Sequence, residues 1–186
     1  MLVEKIVSGG QTGVDRAALD VAVALGINHG GWCPRRRLCE TGLIPSTYNL
    51  KETTTSTWDE RTILNIRDSD ATLVLLNKTP INVTDGTILT LQETKKTKKP
   101  LLIVDIKALN IIDEDDKSIK FHDIESIIQY ILDWLVQKDI KILNIAGPRE
   151  SQAQGIYEEA KKFLYNCFSY KADNILRFIE MPRPRL

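Results

Sequence analysis

Short apolar runs alternate along this chain with longer segments in which apolar residues recur every three or four positions. Leu2–Val7, Ala71–Leu76, Leu101–Ile106 and Lys141–Ala146 have strand length. Their nearly continuous hydrophobicity fits strands covered on both faces, as in a parallel sheet. His29–Trp32 is a shorter candidate strand. Val14–Leu25, Thr57–Arg67, Thr87–Lys96, Ile124–Val136 and Ile156–Phe168 carry the helical period. The clearest is the fourth, with apolar residues at 124, 127, 128, 131, 132 and 135. Gly26 stops the first helix, and Thr84 or Asp85 is placed to cap the third. Strands alternating with helices predict an α/β fold, a mostly parallel sheet sandwiched between two helical layers. One domain over residues 1–169 followed by a tail, 170–186, accommodates all of these elements.

Two stretches lack a period. The segment 33–56 is rich in Pro, Gly, Thr and Arg, and a loop that long is expected to serve as a lid or wall of a site, in one subunit or between two. Residues 108–120 hold the acidic run Asp113-Glu114-Asp115-Asp116, expected to be a solvated hairpin tip or loop.

The first strand breaks into Ser8-Gly9-Gly10-Gln11-Thr12-Gly13 and then into a helix. A glycine turn at that junction presents backbone N–H groups and the positive end of a helix dipole, which suits an oxyanion. It is neither a Gly-Lys-Ser/Thr P-loop nor a G-x-G-x-x-G fingerprint. Asp85-Gly86-Thr87 and Gly147–Ser151 are further strand-to-helix turns, and in a parallel sheet all three fall along one edge. The expected ligand-binding residues are therefore Gly9, Gly10, Gln11, Thr12, Gly13, Arg16, Arg35, Asp85, Gly86, Thr87, Gly147, Arg149 and Ser151. Each has a plainer role open to it. The glycines permit a sharp turn, Arg16 pairs with Asp15 or Asp20, Asp85 caps its helix, and Arg35-Arg36-Arg37 is either a solvated run or a phosphate clamp. Asp68-Ser69-Asp70 precedes a strand, away from the expected pocket, and reads as a cap or turn.

Charge and composition narrow the function without naming it. Lysine plus arginine number 25 and aspartate plus glutamate 25, so no global field points to nucleic acid or an anionic membrane. No apolar run approaches the roughly 20 residues of a membrane span. Three cysteines, Cys33, Cys39 and Cys167, cannot all pair within one chain, which favours free thiols and a cytoplasmic setting. Cys33 remains open to soft-metal or thiol chemistry, although the Cys-x5-Cys spacing is poor for zinc.

Residues 9–19 (GGQTGVDRAAL), 31–35 (GWCPR), Arg61-Thr62 with Asn65, 68–73 (DSDATL), Gly86-Thr87 with Thr90, Lys99-Pro100 and 143–151 (LNIAGPRES) together resemble the putative molybdenum carrier family. That family belongs to the Rossmann-like superfamily shared with lonely-guy phosphoribohydrolases and DNA-processing Smf proteins. The resemblance spans about residues 5–168 and implies a Rossmann-like three-layer sandwich, homo-oligomers and a small anionic ligand. Molybdenum cofactor, molybdate or a phosphorylated nucleotide derivative are the ligands it suggests. Many relatives carry glycine where this chain has Arg36 and Asp85. The phosphoribohydrolases place an acid three residues beyond the threonine of their glycine motif, whereas here Thr90 stands three beyond Thr87 and Glu93 six. Six residues turn a helix by about 600°, leaving Glu93 roughly 120° from Thr87. A binding or carrier protein is therefore preferred, and a nucleotide N-glycosidase using Glu93 or Glu150, with Arg16 or Arg61 on the phosphate, is the alternative. A non-catalytic nucleotide sensor or assembly module is a further one.

Overall fold

The computed structural model describes residues 2–77, 85–113, 115 and 117–169. The expected Thr84 cap, most of the loop before it, Glu114 and Asp116 of the acidic run, and the tail lie outside the described residues. Of Asp85 and Gly86 only the helical backbone is described.

The elements run β1 (Lys5–Val7), α1 (Val14–Ala24), β2 (Asn28–Gly30), β3 (Trp32–Cys33), a 3-10 turn (Arg35–Arg37), β4 (Leu38–Cys39), β5 (Gly42–Leu43), β6 (Lys51–Glu52) and α2 (Trp58–Arg67). Then follow β7 (Ala71–Leu76), α3 (Asp85–Thr97), β8 (Leu101–Asp105), β9 (Asn110–Ile112), β10 (Ser118–Lys120), α4 (Ile124–Gln137), β11 (Ile142–Ala146) and α5 (Ile156–Ser169). Seven strands form the main sheet in the order β10-β9-β8-β7-β11-β1-β2. The five strands from β8 to β2 are parallel, and β9–β10 closes one edge as an antiparallel hairpin. This is the expected α/β sandwich.

Alternation along the central strands sets the two layers. Leu73, Leu75, Leu102, Val104, Leu143 and Ile145 face the large core formed with α1, α4 and α5. Val74, Leu76, Leu101 and Ile103 face the other way into a much smaller cluster that includes Leu91 of α3. Polar residues share this second face: Thr72 and Asn144 are buried, with Asn144 Nδ2 donating to Thr72 Oγ1 at 3.2 Å. α2 and α3 cover it, and α2 is tied down at both ends. Lys99 Nζ donates to the carbonyls of Ile66, Arg67 and Ser69 at 2.8, 2.7 and 2.5 Å, placing a cation on the negative end of the helix. At the other end the Glu60 carboxylate accepts from Thr54 Oγ1 at 2.7 Å and Thr55 N at 2.9 Å.

Asp68-Ser69-Asp70 is a turn of this kind. Asp70 accepts the N–H groups of Lys141 and Ile142, and Asp68 accepts Trp32 Nε1.

The structure corrects two expectations. His29–Trp32 is not one strand: β2 ends at Gly30, Gly31 turns the chain at φ 126, and Trp32–Cys33 pairs with Lys51–Glu52 in a separate sheet. A Cβ at Gly31 would lie 2.4 Å from the Ser8 carbonyl, so the close crossing itself demands glycine. The segment 33–56 is not irregular either. It packs Cys33, Cys39, Ile44, Tyr48 and Leu50 against Leu19 of α1, and Arg37 holds it from within. The Arg37 guanidinium donates to the carbonyls of Ile44, Leu50, Pro45 and Tyr48 at 3.2, 3.1, 2.8 and 3.0 Å. Arg37 is thus a structural tie and not a phosphate clamp, while Arg36, at φ 67, occupies a conformation that favours glycine.

Replacing Arg37 by Met should cost about 2–3 kcal/mol in a denaturant melt, because four carbonyls, three of them in part-buried bonds, lose a charged donor at once. Arg37→Lys should recover little of this, having no planar fork. Acid should loosen the Thr53–Thr57 segment. Hydrogen bonds from Thr55 and Thr54 hold the Glu60 carboxyl at about 2, below its ordinary 4.5. Its contribution is therefore complete above pH 4.5 and lost as pH falls toward 2. Protection of the Thr54 and Thr55 amides, relative to their intrinsic exchange rates, should fall over that window in the wild type, and be low at every pH in Glu60→Ala.

Candidate functional site

The turns after β1 and β11 meet at the carboxyl edge of the sheet because β11 lies between β1 and β7. They touch so closely that side chains are excluded. A Cβ on Gly13 (φ 70) would lie 2.3 Å from the Pro148 carbonyl, and one on Gly147 2.5 Å from the Leu75 carbonyl. Val14 N donates to that Pro148 oxygen at 3.2 Å. Between this edge and the helices α2 and α3 opens a cleft of about 280 Å³. Its walls come from Gly9, Gln11 and Asp15 of the first turn, Trp58, Asp59, Arg61, Thr62 and Asn65 of α2, Thr87 and Thr90 of α3, and Asn144, Ala146, Gly147, Arg149 and Gln152 around β11.

Arg61 and Asp15 form the floor. Arg61 Nη1 donates to the Gly9 carbonyl at 2.9 Å and lies 3.3 Å from Asp15 Oδ2, with the side chains 13% and 9% exposed. Asp15 also accepts the Gln11 N–H at 3.2 Å. Burial pushes the Asp15 carboxyl above its ordinary range, and the Arg61 charge and the Gln11 N–H oppose this only in part. The Arg61 guanidinium lies 5.2 Å from the ring centre of Trp58, whose side chain is 40% exposed at the rim. Arg61 Nε is buried with no hydrogen-bond partner among the described residues.

Of the expected site residues, Gly9, Gln11, Thr87, Gly147 and Arg149 line the cleft, and Asp85 and Gly86 open the helix that carries Thr87. The other described residues of the set do not line the cleft. Arg16 pairs in hydrogen-bonding terms with neither Asp15 nor Asp20: its Nη2 donates to the Gly10 carbonyl at 3.3 Å and its guanidinium sits 5.3 Å over Tyr48. Asp20 instead accepts the hydroxyls of Tyr48 and Tyr157. The Gln11 and Thr12 amides, part of the expected cradle, are engaged by the Asp15 carboxylate and by Gln11 Oε1. Thr12 and Ser151 face Glu40, and Arg35 is exposed, its N–H donating to Thr55 O. The segment 33–47 contributes no residue to the cleft wall. Cys33 is fully buried, and burial raises its thiol above the ordinary value, away from a reactive thiolate. The acids of the glycosidase alternative lie elsewhere: Glu150 accepts the N–H groups of Gly155 and Tyr157 at the start of α5, and Glu93 pairs with Lys96 outside the cleft wall.

Sequence reading did not place Asp15 and Arg61 together at the floor. Arg61 stood out only within the resemblance, and nothing in spacing pairs it with a residue 46 positions away.

A cleft at the carboxyl ends of parallel strands, beneath glycine turns, defines a Rossmann-like α/β protein. The chain belongs to the circularly permutated YpsA SLOG family, whose family model matches residues 6–168. Among solved structures it is similar to the putative molybdenum carrier protein of Syntrophus aciditrophicus SB, at 39% identity and a TM-score of 0.75, over 88% of this chain and 93% of that one. No curated protein matches the chain. Among the described residues, no helix is long and apolar enough to cross a membrane, and Cys33, Cys39 and Cys167 are free.

Gly9→Ala tests the floor. Its Cβ would lie 2.5 Å from Arg61 Nη1 and 2.8 Å from Asp15 Oδ2, so the pair must shift, at about 1–3 kcal/mol. In an Arg61→Met background the same substitution should cost much less, and a double-mutant cycle in denaturant reads the difference.

Proposed function

We propose that the chain is a binding or carrier protein for a small anionic ligand that occupies the cleft. The observation that carries this is Arg61, a buried guanidinium braced by Gly9 and Asp15, whose Nε has no hydrogen-bond partner among the described residues while its group lines the cleft. A buried donor without an acceptor is costly, and a ligand oxygen relieves that cost. Arg149, 41% exposed, supplies a second cation at the rim.

Trp58 narrows the ligand class. An indole exposed at the rim offers an apolar face to a planar ring, and Arg61 beside it reaches an attached anion. That combination favours a phosphorylated heterocycle, such as the pterin of molybdenum cofactor or a nucleotide derivative, over bare molybdate. The similarity to a putative molybdenum carrier protein supports a carrier role and fits both molybdate and the cofactor. The engagement of Glu150 by α5 and the position of Glu93 outside the cleft favour binding over glycosidic cleavage.

Calorimetry with molybdate, a molybdopterin-type cofactor, AMP and ADP-ribose tests the reading. A ring-bearing phosphate should bind the wild type, and Arg61→Met should weaken it by about 1.5–3 kcal/mol. Trp58→Ala should weaken it less, and only for ligands that carry a ring. No binding by any of the four sinks the proposal. Free base released from a nucleotide, and lost in Glu93→Gln or Glu150→Gln, would favour the hydrolase instead.

A further inference from the structure

The hairpin β4–β5 has a two-residue tip, Glu40-Thr41, and that tip reaches the two turns behind the cleft. The Glu40 carboxylate accepts the hydroxyl of Thr12, the Ser151 N–H at 3.2 Å and the Ser151 hydroxyl at 2.5 Å. Arg149 Nε lies 3.6 Å from Glu40 Oε2, the oxygen that also accepts the Ser151 hydroxyl. The Glu40 N–H donates to Gln11 Oε1 at 3.0 Å, which fixes the tip against the first turn. Two hydroxyls and one backbone N–H thus donate to a single carboxylate, with a guanidinium beside it in ion-pair range. Two of these three donors and the guanidinium belong to the turn after β11, and the third donor to the turn after β1. Such a set, hydroxyl and N–H donors with a cation nearby, has the chemistry of an oxyanion site.

We propose that Thr12, Arg149 and Ser151 form a nest for a tetrahedral oxyanion, and that Glu40 is its built-in occupant, a latch that an incoming oxyanion displaces. The inference rests on the reading that the cleft takes an anionic ligand, because Arg149 lines the cleft and also faces Glu40. A ligand whose ring lies in the cleft can extend its anionic group past Arg149 into the nest.

Three features make the occupant displaceable. The hairpin is two residues per strand, too short to be stable alone. Its outer side chains, Leu38 and Leu43, are 41% and 70% exposed and so contribute little packing to hold it down. The base of the segment is secured separately by Arg37, so the tip can lift without unfolding the rest. Burial also works against the Glu40 charge, although the hydrogen bonds from Ser151 and Thr12 outweigh it and keep the carboxyl below its ordinary value. A doubly charged oxyanion interacts more strongly with Arg149 than one carboxylate does.

Full-length wild type, Glu40→Ala and Glu40→Gln would be titrated calorimetrically with sodium molybdate, inorganic phosphate and AMP at one ionic strength. Glu40→Ala should bind at least one of them ten times more tightly than wild type, with Glu40→Gln in between. Adding Ser151→Ala to Glu40→Ala should remove the gain. In wild type, the Glu40 and Thr41 amides should exchange faster once that oxyanion is saturating. A gain for molybdate alone, or for phosphate and AMP together, identifies the source of the oxyanion. Unchanged or weaker binding by Glu40→Ala with a cooperative melt overturns the latch, as does absence of binding by every variant. Should Glu40→Ala fail to fold, no gain in Glu40→Gln together with unaltered wild-type exchange overturns it equally. Arg61→Met separates the two readings: binding that survives it in the Glu40→Ala background leaves the latch standing and removes the cleft floor from the proposal.

Discussion

The position of β11 between β1 and β7 is the constraint on which the rest depends. It makes the last strand of the described chain a neighbour of the first, and brings their following turns into contact at the carboxyl edge. At Gly13 and Gly147 there is no room for a Cβ, since one built there would lie 2.3 and 2.5 Å from a carbonyl oxygen. The two turns therefore stand as one rigid rim. The cleft and the Glu40 hairpin are both arranged around that rim.

The asymmetry of the two sheet faces explains why the cleft lies where it does. The face toward α1, α4 and α5 carries the large apolar core, and supplies most of the hydrophobic stabilisation. The opposite face has a small apolar cluster around β7 and β8 only. Over β11 it presents Asn144, which cannot be buried against hydrocarbon without cost. α2 and α3 leave polar space there, and α2 is held by discrete ties at Lys99 and Glu60 instead of by a broad apolar seam. Asn65 adds another, accepting the Trp32 N–H and donating to the Trp32 carbonyl.

Elements with a strong local pattern were legible. Ala71–Leu76 is a strand with those bounds, and the helix beginning at Ile124 extends one residue beyond its last expected position. The edge on which the turns meet followed from alternation and parallel pairing alone. What escaped was long-range. The Gly31 break reflects a crossing with Ser8, and the order within 33–56 comes from Arg37 reaching carbonyls 7 to 13 residues away. Neither leaves a periodic trace. Arg16 and Arg61 illustrate the same limit. Arg16 sits against the helix dipole, which marks it as unusual, yet it braces Gly10 and Tyr48 behind the rim, whereas Arg61 carries no local signal and forms the floor.

The two cleft arginines differ in what they can contribute to anion recognition. Arg61 is held by Gly9, Asp15 and the face of Trp58, so little rotamer freedom remains to be lost when an acceptor arrives. Its charge, however, is opposed at 3.3 Å by Asp15, a carboxyl already disfavoured in its ionised form by burial. An anion placed against Arg61 adds a second negative charge near Asp15 and pushes that carboxyl further toward its neutral form. The floor therefore rewards hydrogen-bond geometry more than net ligand charge. Arg149 is the reverse: half-open to solvent and paired only loosely with Glu40. In the proposed latch it would contribute Coulomb attraction that grows with ligand charge once Glu40 withdraws. On the proposed reading, shape is read at the floor and charge at the rim.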